Sequence, residues 1–179
     1  MLDINNTCLF VIDIQGKLAQ LMHKKAAVYR NIQILVQGTQ LLKIPILWTE
    51  QVPQKLGPTI SEIAALLSDQ TPLTKSSFSC YGDQEIVSKL EQLNRKQIMV
   101  AGIETHICVF QTTADLLENG YKVHLIGDAV SSRSKKNRHI AIKRMASMGT
   151  VISSTEMALF ELLRTAEADA FRSISKLIK

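Results

Sequence analysis

Short β-branched apolar runs alternate along this chain with longer stretches whose apolar positions recur at helical spacing. The runs cover residues 7–12 (TCLFVI), 44–49 (IPILWT), 97–103 (QIMVAGI), 122–126 (KVHLI) and 150–152 (TVI). Between the first two, residues 26–42 place Val28, Ile32, Leu35, Val36, Thr39 and Leu42 on one stripe of a helix. Residues 83–93, 106–118 and 135–148 repeat the pattern, with Gly120 and Gly149 where a helix should stop before the next strand. Strand and helix in alternation predict an α/β fold: a three-layer α/β/α sandwich around a mostly parallel, Rossmann-like sheet. The segment 51–81 holds three of the four prolines and predicts a long excursion over the sheet, with a short helix near residues 61–67. Residues 156–179 read as two further helices, the last over 166–178, which is compatible with packing on a neighbouring subunit.

Composition narrows this picture without changing it. At 179 residues, 46% hydrophobic and 21% charged, the chain fits one compact domain spanning residues 1–179, with no repeat or linker to divide it. Its 21 basic and 16 acidic residues leave a net charge of +5, an excess that attracts anions only where it clusters. The three cysteines, Cys8, Cys80 and Cys108, show no CxxC spacing, so neither a disulfide framework nor a paired zinc site is expected. Reduced thiols in a cytoplasmic protein are the default. The first residues carry Asp3 and Asp13 and no basic stretch before their apolar run, unlike a secretory signal. No apolar run is long enough to span a membrane.

Ligands of open parallel sheets bind beyond the carboxyl ends of the strands, so polar residues that follow apolar runs are the first candidates for chemistry. Asp13 ends the run CLFVID, where its carboxylate either projects into a cleft or serves structure, capping the next turn or pairing with a lysine. Cys108 follows QIMVAGI after a short turn and opens a helix, whose macrodipole should lower the thiol pKa. From an ordinary pKa of about 8.5, a fall of about 1.5 units would raise the thiolate from a few per cent to about half at neutral pH. Taken alone, such a cysteine is more often a small buried hydrophobe than a nucleophile. Lys75, in TPLTKSSFSC, reads as a solvated lysine unless Asp13 and Cys108 stand beside it; there its ammonium would stabilise both a carboxylate and a thiolate.

Taken together, FVIDIQ, LTKSSFS and AGIETHICV resemble the isochorismatase-like cysteine hydrolase superfamily, in which a strand-end Asp, a mid-chain Lys and a Cys after a G-x-x-T-x-x-C turn form a triad. TEQVPQKLGPT, GDAVSSRS and SISKLIK extend the resemblance over nearly the whole chain, and it is strongest to the small isochorismatase domain-containing proteins. The resemblance implies Asp13 as general base, Lys75 as its electrostatic partner and Cys108 as nucleophile toward an amide-like or ester-like carbonyl, through a thioester. It further implies a non-proline cis peptide at Ile103–Glu104 and an oxyanion hole from the backbone amides of Glu104 and Cys108. From their places beside the triad segments, Gln15, Leu18, Trp48, Phe78, Tyr81 and Ile107 are candidate cleft walls.

Nicotinamidases of this superfamily hold a metal through an Asp and two His after the second strand. Here that region reads TEQVPQKLG, without His or Asp, so no metal and no cofactor is expected. The expected partners are a small-molecule substrate and, by resemblance, further copies of the chain in a homo-oligomer. Two other readings compete. An anion- or nucleic-acid-binding protein would use Arg133, Lys135, Lys136, Arg138, Lys143 and Arg144, although no aromatic platform interleaves them. A non-catalytic scaffold would keep the fold without turnover. Among the other thiols, Cys80 reads as a pocket-edge residue and Cys8 as buried and inert, while His106 lines the cleft or faces solvent.

Overall fold

A computed structural model describes residues 1–179. Six strands, β1 (Thr7–Ile12), β2 (Ile46–Gln51), β3 (Leu73–Lys75), β4 (Gln97–Ile103), β5 (Lys122–Ser131) and β6 (Val151–Ser153), form one sheet in the order β3-β2-β1-β4-β5-β6. Every pairing is parallel. The helices are α1 (Gly16–Gln20), α2 (Lys25–Leu41), α3 (Pro53–Leu56), α4 (Ser61–Ala64), α5 (Gln84–Gln92), α6 (Cys108–Glu118), α7 (Lys135–Ser147), α8 (Thr155–Leu163) and α9 (Phe171–Ile178).

The strands are apolar on both faces because both faces are covered. Along β1, Leu9 and Val11 pack into the cluster that includes Ile32 and Leu35 of α2, Leu159 of α8 and Ile174 of α9. Cys8, Phe10 and Ile12 point the other way, toward Ile86 of α5, Val109 of α6 and Met145 of α7. β4 divides in the same manner, with Met99, Ala101 and Ile103 on the first face and Ile98 and Val100 on the second. Asp83, Ser134 and Ser154 cap α5, α7 and α8 through their side chains. Helix α6 opens at Ile107 without a side-chain cap.

Three features depart from the sequence expectation. Strand β3 is only three residues long and mostly polar; it exists because Leu73, Thr74 and Lys75 pair with Thr49, Glu50 and Gln51. Strand β5 runs on past residue 126, since after an irregularity Val130 and Ser131 pair again with Gly102 and Ile103. Finally, α9 covers this chain's own core: Ile174 is fully buried, and Phe171, Leu177 and Ile178 pack beside it.

Gly102 carries a close approach between β4 and β1. Its φ is +126°, and a Cβ there would lie 2.1 Å from the Ile12 carbonyl oxygen and 2.7 Å from the Ile12 nitrogen. Both obstacles are backbone, so nothing flexible can yield. Gly102→Ala is expected to cost at least about 2 kcal/mol of stability. A lowered urea midpoint with an unchanged slope would show it, and an unchanged midpoint would refute it.

Candidate active site

The chain order of the sheet reverses between β1 and β4, and the rim beyond their carboxyl ends is where open α/β sheets bind ligands. Asp13 leaves β1 at that point, in a left-handed conformation with φ of 52°. Cys108 opens α6 just after β4, and Lys75 is the last residue of β3. These three side chains, distant in sequence, converge.

Lys75 Nζ donates to Asp13 Oδ2 at 2.6 Å and to the carbonyls of Ser77 and Phe78 at 3.1 and 3.2 Å. Gln51 Oε1 lies 3.2 Å away as a fourth acceptor. Asp13 Oδ1 accepts from Thr49 Oγ1 at 2.8 Å. Lys75 is therefore not the solvated lysine its segment suggested: it is 4% exposed and fully bonded. Burial is the largest single influence on Lys75 and works against its charge, but the Asp13 carboxylate, the nearby Cys80 and Cys108 and the hydrogen bond to Asp13 together outweigh it and hold the Lys75 pKa above its ordinary value.

The Cys108 thiol donates to Gln51 Oε1 at 3.1 Å. Its pKa is pushed up to about 12, first by burial and next by the Asp13 charge, with Lys75 only partly compensating. The helix N-terminus was expected to lower this pKa; desolvation and the neighbouring carboxylate prevail instead, and the resting sulfur carries its proton. Cys80 also sits closer to this cluster than a pocket edge would. It is fully buried, 3.7 Å from Thr49 Oγ1, and its pKa is likewise raised to about 12, chiefly by burial. All three cysteines are buried, Cys8 and Cys80 at 0% exposure and Cys108 at 7%, so Cys108 is the least buried of the three.

The turn before Cys108 is braced from β5 and the loop after it. Thr105 N donates to Ser131 O at 2.8 Å, and the Glu104 carboxylate accepts from Arg133 N at 2.9 Å and Arg133 Nε at 3.1 Å. The Ile103–Glu104 peptide bond is cis. The Glu104 carbonyl takes the amides of Ile107 and Val109, whereas the amides of Glu104 and Cys108 donate to no protein acceptor. His106 turns outward: its Nδ1 is 3.0 Å from Ser132 Oγ, and its ring lines a hollow of about 220 Å³ between α6 and α7.

The remaining candidates separate. Gln15 is buried beside the cluster, where its carboxamide clamps the backbone of Gln51, accepting from Gln51 N at 2.6 Å and donating to Gln51 O at 3.2 Å. Ile107 and Phe78 adjoin the cluster through the backbone, and the Phe78 ring is 52% exposed. Leu18 packs against the core on the α2 side. Trp48 is corrected: strand alternation turns it into the α2-side core, away from the face on which Thr49 meets Asp13. Tyr81 is corrected as well, since its ring packs edge-on against Tyr121, beyond the far end of α6 from Cys108. Thr49 and Gln51 were missed: Thr49 closes the run 44–49, and Gln51, two residues beyond it, carried the same signal as Asp13.

An open parallel sheet with an acid, an amine and a thiol gathered at its switch point defines an α/β protein whose candidate site lies at the strand carboxyl rim. The Isochorismatase domain model matches residues 7–157, and the chain belongs to the isochorismatase family, of isochorismatase-like hydrolases. It is 38% identical over 181 residues to a secreted isochorismatase effector, Isc1, of Phytophthora sojae, covering 98% of this chain and 85% of that one. Among solved structures, a Caenorhabditis elegans protein described as MAR1 ribonuclease superposes with a TM-score of 0.92 at 34% identity, over 99% and 91% of the two chains. The YcaC gene product of Escherichia coli, described as an octameric hydrolase of unknown specificity, shares the fold with a TM-score of 0.93 at 22% identity, over 99% and 88%.

Because the Asp13 charge helps to hold the Cys108 proton in place, Asp13→Asn should lower the pH midpoint of Cys108 alkylation relative to the wild type. Site-resolved mass spectrometry of carbamidomethylated peptides measures it as faster Cys108 labelling in the variant at each fixed pH between 6 and 11, below the wild-type midpoint. A midpoint that stays or rises would separate the carboxylate from the thiol.

Proposed function

We propose that the chain is a metal-independent cysteine hydrolase, a single domain over residues 1–179 acting on a small amide-like or ester-like substrate through Asp13, Lys75 and Cys108. One observation carries the reading: the 2.6 Å Asp13–Lys75 pair lies beside Cys108, the least buried of the three cysteines, at the sheet's switch point. A carboxylate, rather than a histidine, is the base within reach of the sulfur.

In this mechanism a substrate carbonyl enters over Cys108, and Asp13 takes the thiol proton as the sulfur attacks. Lys75 holds Asp13 in place and balances the charge that passes between carboxylate and sulfur. The developing oxyanion is received by the amides of Glu104 and Cys108, whose hydrogens have no protein acceptor. The protonated Asp13 then returns its proton to the leaving amine or alcohol, which departs from the thioester. A water, deprotonated by Asp13, attacks the thioester; the C–S bond breaks, the acid leaves, and Asp13 returns the proton to the Cys108 sulfur. No group of three or more His, Cys, Asp or Glu side chains is arranged to hold a metal.

Assembly into a homo-oligomer is supported by the octameric description of the YcaC neighbour and by exposed Ile140, Met148, Met157 and Phe160. Three unpaired cysteines support a reducing, cytoplasmic setting, against which stands the secreted description of the Phytophthora relative. No helix is long and apolar enough to cross a membrane.

A second reading, action on or binding of RNA, is favoured by the exposed Lys135, Lys136, Lys143 and Arg144 of α7 together with the ribonuclease description of the C. elegans structure. RNA retention that weakens steeply with salt and disappears when these four residues are neutralised would support it.

On the hydrolase reading, Cys108→Ala abolishes turnover across an amide and ester panel, with a loss of at least about a thousandfold, while Cys80→Ala retains most of it. Equal losses in the two variants would remove Cys108 from the role of nucleophile.

A further inference from the structure

Gln51 stands where the cluster's hydrogen-bond arithmetic is unbalanced. An ammonium has three hydrogens, and Lys75 has three good acceptors without Gln51: Asp13 Oδ2 and the carbonyls of Ser77 and Phe78. The Gln51 oxygen is thus surplus to the lysine's needs, but it is the acceptor of the Cys108 thiol. Its orientation is constrained. A carboxamide NH2 facing Lys75 Nζ at 3.2 Å would oppose donor to donor, so the ammonium keeps the oxygen on its own side, and that same oxygen meets the sulfur. Nε2 points to Ser76 O at 3.5 Å. The backbone beneath is fixed by Gln15, whose own Nε2 is anchored on Gly57 O at 2.7 Å.

We propose that Gln51 is a latch on the nucleophile: its carbonyl oxygen, oriented by Lys75 and braced by Gln15, accepts the Cys108 thiol hydrogen and holds the sulfur protonated until substrate arrives. An oxygen lone pair attracts the S–H and repels a thiolate, so the latch favours one protonation state and is released when the thiol swings its hydrogen to Asp13. This deepens the hydrolase reading and rests on it. The other titratable groups that bear on the sulfur are Asp13 from the end of β1, Lys75 from β3 and Cys80 from the turn before α5.

The test is the pH profile of Cys108 alkylation by iodoacetamide, resolved by peptide mass spectrometry on the full chain. Gln51→Leu removes the acceptor and leaves Lys75 with three partners; the midpoint should fall by about one pH unit, which is about tenfold faster labelling at a fixed pH below the midpoint. Gln51→Glu places a carboxylate at the same position and should move the midpoint the opposite way. Gln15→Ala, which frees the Gln51 backbone but keeps its carboxamide, should shift the profile in the direction of Gln51→Leu by a smaller amount. Circular dichroism and thermal unfolding establish that each variant is folded, and Gln51→Glu supplies the second arm should Gln51→Leu fail to fold.

Opposite shifts in the two Gln51 variants support the latch. No shift, or shifts of the same sign, overturn it. Asp13→Asn separates this from failure of the underlying site: if it lowers the midpoint while the Gln51 variants do nothing, the triad stands and the latch falls. If Asp13→Asn and the Gln51 variants all leave the thiol unmoved, the cluster reading and the latch fail together.

Discussion

A lysine ammonium and an aspartate carboxylate, both nearly cut off from water, face each other at 2.6 Å on the rim of the sheet. Taking such ions out of water costs several kcal/mol each, about, and their attraction repays this only when every remaining donor and acceptor is also met. Here they are met. Two carbonyls of the loop after β3 complete the ammonium, and a threonine hydroxyl of β2 completes the carboxylate. The pair therefore requires β1, β2 and β3 to lie in one register, and it requires the loop at residues 76–79 to fold back over its own strand. Removing either charge would strand the other in a dry site, a loss of about 3–5 kcal/mol in comparable buried pairs.

The same dryness decides the state of the sulfur. A thiolate beside Asp13 would put two negative charges in one poorly hydrated pocket, and the single positive charge of Lys75 is already engaged by the carboxylate. The proton stays on Cys108, and the helix terminus behind it is too weak a source of positive potential to reverse this. The site is thereby built to move a proton at the moment of attack rather than to store a thiolate. An unprotected thiolate would be open to oxidation, so a resting thiol is also the chemically quieter state.

What lets these groups meet is backbone proximity at the switch point. Gly102 allows β4 to approach the end of β1 more closely than any side chain would permit, and the irregularity in β5 returns Ser131 and Arg133 to brace the turn at Glu104. Two amides of that turn, Glu104 and Cys108, are left without protein acceptors, and α6 starts there with no side-chain cap. Helix starts of this kind offer their N–H groups to a bound oxygen.

Strand and helix periods, glycine stops and the position of polar residues after apolar runs were enough to determine the parallel α/β architecture and to single out Asp13 and Cys108, because these signals are local and repeat at fixed spacing; Lys75, in an apolar-poor segment, gained its role only through the motif resemblance. The motifs around the three residues carried the family as well. Local signals could not reach β3, whose three residues become a strand only by pairing with β2, or the extension of β5, whose register is set by β4. They placed Trp48 and Tyr81 near the site by sequence adjacency, where strand alternation and the packing on Tyr121 turn both away. They missed Thr49 and Gln51, ordinary polar residues until Asp13, Lys75 and the thiol are brought against them. Above all, the direction of the Cys108 pKa was out of reach, since a helix start is visible in sequence while burial and a charge from another strand are consequences of tertiary packing alone.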